Sequence, residues 1–404
     1  MERVVIVGCG VVGAAIAYEL SAIAHWEITV LDHQPPAQGS TGAALGVLMG
    51  AISQKRKGRG WRLRQLSLQR YETWVPELER LTGQAIPFNR DGLVLLTFDD
   101  EDMDKWYTLQ TVRQDQGWPL EIWDRTILGQ RCPLVGDRFF QEDTTHTITG
   151  AIYSPQDRQI DPTALTHALV AASKNRGVRF HLDAAVTGFE PITTSNSSHP
   201  TYHVHTRNQS FTADWLILSA GIGTTSLTQA SSTPLDIRPV LGQAMRVRIP
   251  EASAPFPSNF PSNFPPDNKS DHKIAASFQP VITSHDIHIV PLGDRDYWVG
   301  ATVEFPDETG QVEADAALLD TVWEGAITLY PPLAQGTVIE QWSGRRPRPF
   351  GRPAPIVEFL EGYERVILAA GHYRNGVLLA PATAQLVREL MVDQTSGVSG
   401  PSSS

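Results

Sequence analysis

Val4, Val5, Ile6 and Val7 open the chain as an unbroken β-branched run, the pattern of a strand buried on both faces of a parallel sheet. The run feeds into Gly8-x-Gly10-x-x-Gly13. Ile16 and Leu20, four apart with Ala17 beside them, then make a helical apolar stripe. Thr29-Val30-Leu31-Asp32 returns to strand patterning, so the first 32 residues predict strand, glycine turn, helix, strand.

Further on, Leu66, Leu68, Tyr71, Trp74, Val75, Leu78 and Leu81 fall at helical spacing, and residues 86–98 read as strand, turn and strand about Asn89-Arg90-Asp91-Gly92. Helices are expected near 101–116 and 125–131. Asp161-Pro162-Thr163-Ala164 starts another. Residues 177–182 and 184–189 read as strands, so the first sheet resumes after an excursion of roughly a hundred residues, long enough for a domain. The stretch 214–221 adds a buried strand. A second excursion, 234–305, carries strands at 243–249, 287–291 and 297–302. Within it, 255–271 holds the duplication Pro257-Ser258-Asn259-Phe260-Pro261-Ser262-Asn263-Phe264-Pro265, whose composition predicts a surface insertion. The chain closes with a strand from Arg365, a turn to Gly376 and a helix; from 394 a Ser/Gly/Pro tail is expected to be disordered.

The glycine turn has a chemical reading. Gly8 permits the tight turn, Gly10 lets a pyrophosphate approach the backbone, and Gly13 lets the helix lie close on the strand. Free N–H groups around Val12 then face the phosphates. Asp32, 19 residues after Gly13, ends the second strand, where a carboxylate accepts from both ribose hydroxyls and repels a 2′-phosphate. This makes a dinucleotide site and leaves FAD and NAD both open. Gly39-Ser40-Thr41-Gly42-Ala43-Ala44 reads as a capped helix start whose small residues, Ser40, Thr41 and Ala44 among them, admit a second helix end to the same ligand. Val186, Ala220 and Gly221 bring later strands back to it.

Composition narrows the partners. A net charge of −11 argues against nucleic acid, so Lys55, Arg56, Lys57, Arg59, Arg62 and Arg64 read as a solvated helix face. No apolar run is long enough to span a bilayer, so no stable membrane insertion is expected. With the first strand beginning at once, no signal peptide is expected. A cytoplasmic location is the expectation. Two cysteines, Cys9 and Cys132, make neither a disulfide framework nor a metal-ligand spacing, so reduced thiols and no metal are expected.

Ala370-Gly371-His372-Tyr373-Arg374-Asn375-Gly376-Val377-Leu378-Leu379-Ala380-Pro381, with Trp342-Ser343-Gly344-Arg345-Arg346-Pro347 and the glycine turn with Asp32, resembles the D-amino-acid-oxidase-type flavoproteins, and among them the glycine oxidases of thiamine biosynthesis. The likeness runs over nearly the whole chain. It implies FAD, held non-covalently because the attachment cysteine of the sarcosine-oxidase relatives is missing. His372, Arg374, Asn375, Gly376, Val377 and Leu378 are placed around the flavin. A helix opening near Gly376 would favour the negative charge that reduction puts on the flavin edge. The resemblance gives Arg346 the substrate carboxylate, with Arg345 the alternative if the register is off by one, and sets Arg374 in the same pocket. Residues 286–291 match the strand whose outward side chain faces the substrate. The sequence departs there, with His288 in place of a tyrosine and Val303 in place of a methionine. His288 is expected to donate to the carboxylate, to titrate near neutral pH, or to be a half-buried strand histidine without a role.

The implied fold is α/β plus α+β: a discontinuous Rossmann-like FAD-binding domain (1–84, 146–232 and 335–393), an antiparallel-sheet substrate domain (85–145 and 233–334) and a 394–404 tail. The implied activity is oxidative deamination of glycine, sarcosine and small D-amino acids by dioxygen to imine or glyoxylate, ammonia and hydrogen peroxide, serving the thiazole of thiamine. Alternatives in the same fold are an oxidase or quinone-linked dehydrogenase of another amino acid, a D-amino acid or proline. An NAD-dependent dehydrogenase and a flavin-binding protein without turnover are readings from other classes. Relatives imply a homo-oligomer, tetramer or dimer.

Overall fold

Val4 and Ile6 face one side of the first strand and Val5 and Val7 the other, and both sides are covered. That double burial is what the opening run requires. The structure is a computed structural model that describes residues 1–141, 144–192, 199–250 and 278–395.

The chain begins β1 (Glu2–Val7), α1 (Val11–Leu20), β2 (Trp26–Leu31), β3 (Val47–Leu48), α2 (Gly58–Thr82), β4 (Phe88–Asn89), β5 (Leu93–Phe98), α3 (Asp104–Asp115), β6 (Glu121–Asp124) and α4 (Arg125–Arg131). It continues β7 (Arg138–Gln141), β8 (Thr144–Ser154), β9 (Arg158–Ile160), α5 (Pro162–Asn175), β10 (Arg179–His181), β11 (Val186–Ile192), β12 (Thr201–Thr206), β13 (Ser210–Ala213), β14 (Trp215–Leu218) and α6 (Thr224–Leu227). The last part is β15 (Ile237–Arg248), β16 (Val281–Ser284), β17 (Ile287–Gly293), β18 (Asp296–Gly300), α7 (Ala316–Leu329), β19 (Thr337–Pro349), β20 (Ile356–Phe359), β21 (Val366–Ala370) and α8 (Gly376–Thr395).

A six-stranded sheet, ordered β10-β2-β1-β14-β21-β20, is parallel except for β20. Its Val4 and Ile6 side packs on α1, α2, α5 and α8. Its Val5 and Val7 side packs on Tyr202, Val204 and Ala213 of a small β11-β12-β13 sheet. A nine-stranded sheet runs β19-β15-β18-β17-β16-β5-β8-β6, with β7 on β8. Leu319, Val322, Ala326 and Leu329 of α7 seal one face of it against Met245, Val247, Ile289 and Val299. The first is the expected Rossmann-like sheet, and the second is antiparallel except where β16 pairs in parallel with β5.

Several expectations are corrected. Residues 39–44 form consecutive turns instead of a helix start. Thr41 serves a different helix, because its Oγ1 accepts from the Val11 N–H at 3.0 Å and so satisfies the first turn of α1. β4 and β5, read as neighbours about one turn, join different sheets. The expected boundaries at 146 and 335 do not follow the sheets: β8 pairs with β5 and β6, and β19 pairs along its length with β15, so both strands lie in the nine-stranded sheet. α8 runs through Pro381 to Thr395, beyond the expected end at 393. The 255–271 insertion and most of the 394–404 tail lie outside the described residues. No helix among the described residues is long and apolar enough to cross a membrane.

Candidate cofactor and substrate site

A cleft of about 870 Å³ runs from the first glycine turn to the turn before α8, between the two large sheets. At its first end the backbone does the shaping. Gly8 sits at φ +105°, and a Cβ there would lie 2.4 Å from the Ser219 carbonyl oxygen. A Cβ on Gly13 would lie 1.9 Å from the Gly8 oxygen, so α1 rests directly on the turn. The Asp32 carboxylate accepts from the N–H of Cys9 at 2.6 Å and of Gln34 at 3.1 Å, which ties the second strand's end to the turn. Burial and the nearby Asp32 charge push the Cys9 thiol up to about 12, so it stays protonated. Beyond this, Asp157 is fully buried and accepts from the N–H groups of Gly50, Ala51 and Ile52 at 2.7, 2.7 and 2.9 Å. It fixes the segment that follows Leu45, Gly46 and Val47 of the cleft wall.

At the other end side chains converge. Arg346 projects from β19, and its Nη1 donates to the carbonyls of Leu241 (3.0 Å) and Thr302 (3.1 Å). Burial, then the Arg374 charge, pulls its pKa below the ordinary arginine value without removing its charge. The guanidinium lies against Gly242, where a Cβ would come within 2.2 Å of it. Beneath it, buried Glu304 accepts from Gln243 Nε2 (3.0 Å), the Thr302 hydroxyl and the Asp315 N–H (2.8 Å), fastening the strand end that offers the Thr302 carbonyl. Arg374, in the 3₁₀ turn before α8, pairs with Asp286 at 2.7 Å. Burial opposes the Arg374 charge, but the Asp286 hydrogen bond and charge outweigh it and raise the pKa.

His288 lines the cleft half-buried, and desolvation there lowers its pKa to about 4. It does not titrate near neutral pH. The Thr283 hydroxyl lies 2.7 Å from His288 Nδ1 and 3.2 Å from the Ile287 carbonyl oxygen, which fixes the ring's place on the strand.

The sequence model of the family described as FAD dependent oxidoreductase matches residues 3–390. The chain belongs to this family. The family's cofactor is FAD, which settles the choice the glycine turn left open. Among curated relatives, the bifunctional protein ThiO/ThiG of Trichormus variabilis is 29% identical over 397 residues, covering 97% of this chain and 53% of that protein. The chain thus spans about half the length of the ThiO/ThiG proteins it matches. Glycine oxidase of Geobacillus kaustophilus is 26% identical over 391 residues, covering 96% of this chain and 92% of the relative. The crystal structure of glycine oxidase from that organism superposes with a TM-score of 0.78 at 25% identity, over 97% of this chain and 95% of the other. L-proline dehydrogenase from P. horikoshii, at TM-score 0.76 and 18% identity, shares the fold.

The cleft suits FAD, since its glycine cradle would be filled by any Cβ at Gly8 and its length reaches the start of α8 at Gly376 and Val377. Of the residues read for the cofactor, Gly8, Gly10, Val12, Asp32, Ser40, Thr41, Ala44, Val186, Ala220, Gly221, His372, Arg374, Gly376 and Val377 line it. Gly13, Asn375 and Leu378 do not. Gly13 packs α1 on the turn, the Asn375 Oδ1 meets Arg64 Nη2 at 3.5 Å, and Leu378 is buried in the core. His372 is buried, its Nε2 2.8 Å from the Thr383 hydroxyl, and desolvation lowers its pKa to about 4, in keeping with a structural part. Arg345 is exposed, and its carbonyl accepts from Ser40 Oγ at 2.6 Å. Sequence reading missed Gly46, Gly242, Asp286 and Ala301 of the lining. The signal for Gly242 was a glycine inside a strand, which marks a close approach. Among the described residues, Asp99, Asp100 and His146 come close enough to share an ion, but they lie outside the cleft lining and both aspartates are exposed.

Proposed function

We propose that the protein oxidises glycine and related small amines, sarcosine and small D-amino acids, with dioxygen as acceptor. The products are hydrogen peroxide and an imine that hydrolyses to glyoxylate and ammonia or serves the thiazole of thiamine. The observation that carries this reading is Arg346. Among the described residues only its Nη1 is hydrogen-bonded, so the fork has its other nitrogens free for a bidentate carboxylate. Glycine-oxidase relatives covering over nine-tenths of both chains support it.

In this reading FAD, when bound, supplies two-electron acceptor chemistry. Arg346 anchors the carboxylate, and the neutral His288 accepts from the substrate amine and fixes its orientation, so Cα is held in one place. The start of α8 favours negative charge beside it. Arg374 lines the rim. The six-stranded sheet serves the cofactor and the nine-stranded sheet the substrate. The enzyme works in the cytoplasm, where its thiols, Cys9 and Cys132, stay free, and as a homo-oligomer.

A second reading keeps the fold and changes the substrate. His288 and Val303 both line the substrate end, where the resembled glycine oxidases carry tyrosine and methionine, and this favours a D-amino acid or proline, with a quinone as possible acceptor. Peroxide release by the FAD-loaded protein with glycine, sarcosine, D-alanine and D-proline separates the two. Glycine-dependent peroxide is expected; no peroxide from any of the four, with reduction of a quinone analogue, would overturn the oxidase.

A further inference from the structure

Asp286 stands on the two-residue turn between β16 and β17, beside His288 on the strand. Among the described residues lining the substrate end of the cleft, it is the acidic one. Its Oδ1 accepts from Arg374 Nη1 at 2.7 Å, with the two side chains 54% and 41% exposed. The turn is held down, since the Ala301 N–H donates to the Asp286 carbonyl at 3.0 Å and Ser284 pairs with Ile287 across it. The turn therefore keeps Asp286 at the rim beside Arg374.

An ion pair this exposed adds little to stability, so its consequence lies in the charge it leaves in the cleft. Arg346 and Arg374 repel one another, and Asp286 acts on both Arg346 and His288. With His288 neutral, Arg346, Arg374 and Asp286 leave one positive charge among them, and the Glu304 buried beneath Arg346 and the exposed Arg345 of the cleft wall, opposite in sign, leave that sum unchanged. A substrate with one carboxylate balances that sum. A second carboxylate would have to displace Asp286 from Arg374 and then sit beside it, like charge against like charge.

We propose that Asp286 sets the charge class of the substrate: by occupying Arg374 it leaves a single arginine, Arg346, for a single carboxylate, and selects monocarboxylic amino acids over those with a second acidic group. This rests on Arg346 being the carboxylate anchor. Released from Asp286, Arg374 becomes a second carboxylate site within the same cleft.

The test is equilibrium binding of two unreactive acids, glycolate and malonate, to the FAD-loaded protein, read from the change in flavin absorbance. The wild type binds glycolate more tightly. Asp286→Asn raises malonate affinity about tenfold, the scale of one charge-assisted contact, and changes glycolate affinity less than about threefold. Asp286→Glu keeps the wild-type ranking, and adding Arg374→Gln to Asp286→Asn removes the gain. Arg346→Gln weakens both acids. An unchanged malonate-to-glycolate ratio in Asp286→Asn, while Arg346→Gln still loses glycolate, overturns the role of Asp286 alone. Glycolate affinity untouched by Arg346→Gln overturns the anchor, and the inference with it.

Discussion

At the Gly8 end of the cleft a ligand meets backbone: a glycine turn and the first amides of α1, with a wall at Leu45, Gly46 and Val47 that Asp157 holds from behind. At the Arg346 end it meets side chains: a guanidinium held on two carbonyls, a neutral histidine and an ion pair, borne by β19, β17 and the turn before α8. The first end is a cradle whose shape depends on atoms being absent, so it tolerates no added carbon. The second is a set of charges whose sum and spacing matter, so it tolerates changes that keep the fold and alter what binds.

Breaking the backbone end should have the largest effect. In Gly13→Val the new Cβ meets the Gly8 oxygen at 1.9 Å, so the turn and α1 cannot both persist. The expected outcome is a protein without flavin and destabilised by more than about 4 kcal/mol, seen in its absorbance and thermal melt. Asp157→Ala removes the acceptor of three buried N–H groups. A loss of about 3–5 kcal/mol in urea unfolding is expected, with flavin affinity falling alongside.

pH adds a milder probe. His372 is 3% exposed and its folded pKa lies near 4, below the 6.5 of the free side chain. Above pH 6.5 it is neutral folded or unfolded, and nothing is lost. As pH falls toward 4 the unfolded chain takes up the proton and the folded one does not, so stability declines by roughly 3 kcal/mol across that window. His372→Asn should flatten the decline in a pH series of melts. The half-buried His288 adds a smaller share of the same sign.

The comparison sharpens at Gly242. Gly242→Ala places a Cβ 2.2 Å from the Arg346 guanidinium while leaving the first glycine turn untouched. The protein should keep its flavin and melting temperature, yet show an apparent KM for glycine raised by roughly 2 kcal/mol or about thirtyfold. Flavin loss in this variant would show that the two ends are not separable.

The same contrast explains what was legible in the chain. Val4–Val7, Gly8, Gly13 and α1 follow one another, so periodicity and spacing are enough to read them. Thr41 was misread because the amide it caps, at Val11, lies 30 residues back and belongs to another helix. β19 was grouped with the cofactor segments because nothing in Trp342-Ser343-Gly344-Arg345-Arg346 announces that it will pair with β15, about a hundred residues earlier. Arg374, Arg346 and His288 were found through a family resemblance, in Ala370–Pro381, in Trp342–Pro347 and in the strand at 286–291 in turn, not through local pattern. Asp286, Gly242 and Glu304 acquire meaning only once β15, β17 and β19 lie side by side.

The central claim, that Arg346 presents a small amino acid's carboxylate within an FAD cleft, is tested most directly by mixing the FAD-loaded protein with glycine without oxygen and following the flavin absorbance. The account predicts bleaching by glycine in the wild type, and in Arg346→Ala bleaching only at concentrations higher by about 2–4 kcal/mol of lost binding, roughly thirtyfold to several hundredfold. Absorbance unchanged by glycine, sarcosine, D-alanine and D-proline in the wild type, or the same glycine dependence in both proteins, would contradict it.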